Sequence, residues 1–325
     1  VLLFGSPLVV LGAAAPALAQ DDAAEEIVVW GDLFARWDNT RWLIETEVGV
    51  PWKVTLYKDE NKAFDTQEFQ LRTILACDKD WKLGNHKYEI DCVIEDLALV
   101  ASIAEPNISD KDVLRAQEVL DEVDAKLTSA HVQLQVADDG RVTNLQLEGV
   151  SNENRRQSVM QETLRQVLSR VVVGFNLKMQ KFNQLHEGKW QEFNSTVLTM
   201  PLPQGVPGAI GSNLLVHYLN RFQGHVIVQS IGRGSTNVGE TMYTLNFTGV
   251  SVFDPNEGFM TDRVWALEGE PTASALFMAQ AHYFHAGKIR LLGSEDHPDL
   301  GASQPVNGRR QESLLMPAWT PIERP

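Results

Sequence analysis

Cysteine is scarce in this chain, with Cys77 and Cys92 the only two. Their spacing is too wide for the CxxC of a redox centre, and two thiolates are half of a zinc site. Basic residues are also few, at 28 against 43 acidic ones, for a net charge of −15. That balance excludes general nucleic-acid binding, which needs Lys and Arg to neutralise phosphates, and adhesion to an anionic membrane surface. GxxxxGK[ST], GxSxG and HExxH are all missing, so nothing points to a phosphate-binding loop, a nucleophile elbow or a zincin. "ADDGR" is too short for a calcium loop, and "DPNEG" has turn chemistry. No catalytic, cofactor-binding or metal-binding residue is assigned on these grounds, and enzymatic activity stays open, with a non-enzymatic role favoured.

Long hydrophobic runs are absent after the first residues. The opening "VLLFGSPLVVLGAAAPALAQ" has an apolar core over Val1–Ala15 and a small-x-small site at Ala17-Leu18-Ala19. It reads as a bacterial-type secretory signal peptide, with cleavage expected between Ala19 and Gln20. The expected setting is therefore exported, periplasmic or extracellular, with no transmembrane segment in the mature chain. "EEIVV", Glu25–Val29, resembles the TonB box of outer-membrane receptors but lacks the Thr-Gly that follows it there.

In an exported chain, two cysteines are expected to form a disulfide, Cys77–Cys92. Gly84-Asn85 offers a two-residue hairpin turn between them. Folding about it pairs Leu83 with His86, Trp81 with Tyr88 and Cys77 with Cys92, and directly opposed Cα atoms lie ~4.5–5.5 Å apart, within disulfide reach. The same register opposes Lys82 to Lys87 and Asp80 to Glu89, two like-charged pairs.

Four parts are expected: a signal peptide (1–19), a β-rich region (20–108), a helix–hairpin–helix unit running into long strands (109–293), and a Pro-rich, loosely docked or disordered tail (294–325). "TRWLIETEV", "WKVTLY", "QEFQLRTILAC" and "KYEIDCVIEDLALVASI" read as strands. "SDKDVLRAQEVLDEVDAKL" reads as a helix capped by Ser109, with Val113, Leu114, Val119, Leu120, Val123 and Leu127 apolar. A hairpin turning at Asp139-Gly140 follows, with a bulge expected near Thr143-Asn144 where the alternation slips. Val159, Met160, Leu164, Val167, Leu168, Val171 and Phe175 mark a second helix that stops at Gly174. Long strands then recur between turns such as Gln223-Gly224.

The fold class is thus α+β and β-dominated, with long antiparallel strands in a curved sheet, half-barrel or sandwich and two amphipathic helices inserted mid-chain. This order of elements, with the "DGRV" hairpin, a helix, "EGKWQEF" and several long strands over roughly Asp121–Leu292, resembles the exported half-barrel proteins of bacteria. The lipoprotein carriers and lipid-binding lipoproteins are of that kind, and uncharacterised secreted β-sheet families show a similar order. The resemblance implies a partner that is a lipid or other amphiphile, or an envelope protein. It transfers no site residue.

Other candidates are weaker. His282 and His285 would point to opposite faces of a strand, and His217 and His225 could face each other across a hairpin near Phe222. Glu45 and Glu47 share a strand face, but carboxylates are too numerous for pairs to signal a glycosidase. Trp30, Trp37, Trp42, Trp52 and Trp81 suit packing better than a sugar platform. Three functions remain: an envelope protein binding an apolar or amphiphilic ligand, an envelope interaction module without a ligand, and a secreted hydrolase.

Overall fold

The computed structural model describes residues 37–49, 55–59, 62–83, 87–103, 109–137, 142–147, most of 160–171, 188, 190–193, 197–199, 209–238, 241–254, 259–271 and 283–307. The elements are β1 (Thr40–Gly49), β2 (Thr55–Asp59), β3 (Lys62–Leu83), β4 (Lys87–Ile103), α1 (Asp110–Leu127), β5 (His131–Ala137) and β6 (Val142–Leu147). A second helix, α2, takes in the described positions of 160–171. Then come β7 (Trp190–Phe193), β8 (Val197–Thr199), β9 (Ala209–Phe222), β10 (His225–Val238), β11 (Thr241–Phe253), β12 (Met260–Pro271), β13 (Tyr283–Leu292) and β14 (Gln304–Asn307).

These strands make one large, curved, unclosed sheet in the order β6-β5-β4-β3-β1-β13-β12-β11-β10-β9-β7. Every pairing is antiparallel except that of β14, which runs parallel to β4. Strand β1 joins the two β-rich regions, since Ile44 faces Thr73 of β3 on one side and Ile289 of β13 on the other. Where the alternation breaks, the register bulges. Gln135 faces Asn144 and Val136 faces Val142, which leaves Thr143 as the extra residue at the expected place.

Period-two alternation gives the sheet an inner and an outer side. On β11 and β12 the inner residues are buried and most of the outer ones exposed. The inner side carries the main core, with Trp42, Ile44, Phe69, Leu71, Leu75, Leu99 and Leu134 packed with both helices. Helix α1 starts at Ser109, whose side chain accepts from the Asp112 N–H, and has Asp110 and Asp112 in its first turn. Its buried stripe is Ala116, Val119, Leu120, Val123 and Leu127. Leu114, expected in that stripe, is instead 66% exposed. It lies about 100° of helical rotation from Val113, on the far side of the apolar face. Helix α2 buries Leu164, Val167, Leu168 and Val171. It is tied to β2 by Thr55 N–H to Gln166 Oε1 at 2.9 Å and by Thr163 Oγ1 to the Thr55 carbonyl at 3.3 Å. Val159 and Phe175 lie outside the described residues.

Strands β1 and β3 are buried on both faces because residues 293–303 cross the outer side as a strap. Leu300 packs there on Leu43, Ile74, Ala98 and Leu292. Arg41 donates to the carbonyls of Gly293 and Asp296, and Arg72 to that of Leu300. Of the Pro-rich tail, expected to be loosely docked or disordered, the part up to Asn307 is docked, held by a few buried anchors and arginine-to-carbonyl bonds. The sequence beyond it lies outside the described residues.

Candidate functional site

Cys77 and Cys92 are directly opposed on β3 and β4 and form a disulfide, with Cα atoms 4.0 Å apart. Both are buried in the inner core, next to Val132 of β5, so no substrate thiol can reach them. The bond is a staple. Toward the hairpin tip the pairing departs from the expected one. Leu83 faces Lys87, Lys82 faces Tyr88, Trp81 faces Glu89 and Asp80 faces Ile90, and Asp78 is bulged out to bring the cysteines back into line. The shift removes both like-charge pairs and sets Lys79 opposite Asp91. Residues 84–86 lie outside the described residues, as do the signal-cleavage positions Ala19 and Gln20.

The histidine pairs do not assemble. Gln223 and Gly224, both at positive φ, form the β9–β10 turn, so His225 faces Phe222 and His217 faces Ser230. His282 is outside the described residues, and His285 is buried on the inner side. Among the described residues no three His, Cys, Asp or Glu side chains cluster as metal ligands would. Glu45 pairs with Arg72 at 2.9 Å on the outer side, where Glu47 is also buried.

What composition could not show is the inner floor formed by β10–β13. Its side chains are Val226, Val228, Tyr243, Leu245, Phe247, Phe253, Trp265, Leu267 and Ile289, all buried. Glycines lie among them at Gly232, Gly234, Gly249 and Gly287. The aromatic rings lie down over these gaps. A Cβ on Gly287 would stand 2.5 Å from Trp265 Cζ2 and 2.7 Å from its Nε1, and one on Gly249 would stand 3.0 Å from Phe247 Cζ. The floor is therefore low and apolar, with rings flat where side chains would otherwise project.

Polar groups are set into it along neighbouring rows, one of which has unpaired donors. The register row Trp265–Gly287–Thr46 crosses β12, β13 and β1. Trp265 Nε1 and Thr46 Oγ1 are both buried and have no hydrogen-bond partner among the described residues. Leaving such groups unpaired costs about 1–3 kcal/mol each. His285, next along the inner side of β13, meets Trp265 edge-on with ring centroids 4.5 Å apart. Burial, and then the charge of Arg170, hold the His285 imidazole well below its ordinary 6.5, so it is neutral at pH 7. Arg263, two residues before Trp265, is buried, donates to Ser251 Oγ at 3.1 Å, and is pushed down to about 9 by desolvation. This arrangement buries several polar groups inside an otherwise apolar surface. A periodic pattern in sequence does not reveal it, because its parts come from strands at opposite ends of the chain.

No protein-family model matches the chain, and no curated protein sequence matches it. A solved structure titled "Lipid-protein interactions in lipovitellin" is similar, at a TM-score of 0.42 and 10% identity, over 83% of this chain and 27% of that one. This chain thus spans about a quarter of that chain's length.

Proposed function

We propose that this protein is a non-enzymatic exported protein that holds an apolar or amphiphilic ligand against the inner side of its sheet. The observation that carries the proposal is a mismatch of widths. Eleven strands follow one another along the sheet, and at ~4.8 Å per neighbour they span roughly 48 Å. Two helices side by side, each about 10–12 Å across, cover about half of that. The core that contains both helices takes only Val226, Val228, Phe253 and Met260 from β10–β12. Tyr243, Leu245, Phe247, Trp265 and Leu267 continue the apolar floor beyond it, each at most 7% exposed in the ligand-free protein, so a ligand reaches them by displacing protein packed there. The disulfide fits an oxidising compartment, in keeping with the signal-like N-terminus.

The test is direct. Natively purified protein is extracted with organic solvent and the extract examined by mass spectrometry. Delipidated protein is then titrated with a fluorescent fatty acid and a fluorescent phospholipid. Co-purifying lipid and saturable uptake are expected, and protein that carries no lipid and takes up neither probe would sink the proposal.

One observation favours the interaction-module reading. The outer side of β10–β12 carries adjacent aliphatic residues, Ile227, Ile231, Val250, Val252 and Val264, that are partly exposed. If this face docks an envelope protein, Val264→Glu would abolish a crosslink formed in intact cells while leaving lipid uptake unchanged.

A further inference from the structure

We infer that His285 and Arg170 form an acid-sensitive catch between the inner floor and helix α2, and that protonation of His285 releases the helix locally. The inference concerns the protein alone and holds whether or not the inner side takes a ligand.

Both side chains are fully buried, His285 on the floor and Arg170 on the helix. His285 lies in mid-sheet, opposite Leu267 of β12 on one flank and Val48 of β1 on the other. Its ring meets Trp265 edge-on at 4.5 Å. Trp265 has no room to give way, because it lies on Gly287, where an added Cβ would stand 2.5 Å from the indole. Among the described residues, the charged or titratable groups that face this place are Arg170 from α2 and Arg263 from β12, with Tyr243 further off on β11. The described inner positions of β1, β3 and β10–β13 hold no Asp or Glu.

A proton on His285 therefore puts a second cation beside the guanidinium of Arg170, out of reach of water. Burial and that guanidinium are what hold the imidazole neutral in the closed protein. Once the ring is charged, one side of the contact must move. Strand β13 is laddered to β1 and β12 on both edges. Helix α2 is attached by its apolar stripe and by two hydrogen bonds to Thr55 of β2. The helix is the weaker partner, and Arg170 stands near the end of its described residues, so release starts at that end. With the helix lifted, the ring regains water and its ordinary pKa. Below pH 6.5 the open form then gains on the closed one by up to about tenfold per pH unit.

Native-state hydrogen exchange of the full chain, at pH 7.5, 6.5 and 5.5 in low urea and corrected for intrinsic rates, tests this. Protection of the α2 amides is expected to fall by up to about tenfold between pH 6.5 and 5.5. Their exchange should depend only weakly on urea, as local opening does, while amides of β3 and β4 near the disulfide keep the steep dependence of global unfolding. In His285→Phe the acid loss at α2 disappears. His285→Gln, smaller and uncharged, gives the same result, so the test does not depend on a phenylalanine ring fitting. In protein labelled at the histidine ring carbons, the His285 titration midpoint, assigned by its loss in His285→Phe, rises in Arg170→Met. Protection at α2 that is constant with pH, or an acid loss that persists in both His285 variants, would overturn the catch. So would an unmoved midpoint in Arg170→Met. A urea dependence at α2 as steep as that of β3 and β4 would overturn local release.

Discussion

The hydroxyl of Ser303 donates to Asp124 Oδ2 across 3.0 Å, joining the end of the outer strap to the last turn of α1. The same oxygen accepts the Leu99 N–H at 3.0 Å, and the Ser303 carbonyl accepts from Gln117 Nε2 at 2.9 Å. Three elements therefore meet at one largely buried side chain. Ser303→Ala is expected to lower stability by about 1–3 kcal/mol, because it strands a buried N–H and a carboxylate oxygen. Urea unfolding measures this. Hydrogen exchange should show the β14–β4 amides opening first, and unchanged protection there would refute the latch.

Replacing both cysteines, as Cys77→Ala with Cys92→Ala, is expected to cost ~3 kcal/mol by releasing the loop in the unfolded chain. In the native protein, mild reductant followed by a thiol reagent should label nothing, since both sulfurs are in the core. Rapid labelling under native conditions would contradict that burial.

Gly287→Ala forces Trp265 off its seat, and overpacking of this kind costs about 1–3 kcal/mol. Gly249→Ala, whose new Cβ meets only the end of the Phe247 ring, should cost less. Tryptophan emission should shift to the red in Gly287→Ala and not in Gly249→Ala.

His285 makes stability depend on acid. Its folded pKa is depressed below 6.5, so the unfolded chain binds the extra proton first. Stability from the neutral ring is complete above pH 6.5 and falls as pH drops below it, by up to ~1.4 kcal/mol per pH unit for one proton. Urea midpoints measured from pH 7.5 to 5 should fall less steeply in His285→Phe. Identical slopes would show that the ring is not buried and neutral.

Helix α1 offers a paired control. Leu120→Ala empties a fully buried site and should cost about 2–5 kcal/mol, whereas Leu114→Ala should change stability by less than about 0.5 kcal/mol. Equal losses in thermal unfolding would place the apolar stripe elsewhere.

Local chemistry was legible in the sequence. β4 runs over the same residues, Lys87–Ile103, that alternation and β-branching suggest, and the slip in parity at Thr143 located a bulge. Ser109 announced the start of α1 because capping is decided within one turn. Features that depend on distant partners were not legible. Like charges at Lys82 and Lys87 warned against the simple hairpin register, but they did not say that Asp78 would absorb the correction. The strap read as a loosely docked or disordered tail because only Leu300 and Ser303 anchor it deeply, amid Pro, Asp and Gly. Thr46 and Trp265 become neighbours only when β13 comes between their strands, so no spacing along the chain could join them.

β1 has one flank that can be paired early and one that cannot. β3 follows it closely in the chain and covers one edge, but the other edge matches β13, from Arg41 opposite Leu292 to Val48 opposite His285. Until Leu292 has been synthesised, that edge, with Trp42, Ile44 and Val48 along it, is an unpaired template for any extended chain. Such exposure favours misassembly in large β proteins, whose long-range pairings close slowly. The seam between β1 and β13 is therefore the long-range pairing on which closure of the sheet waits, and where a holding chaperone would be of most use to the nascent protein.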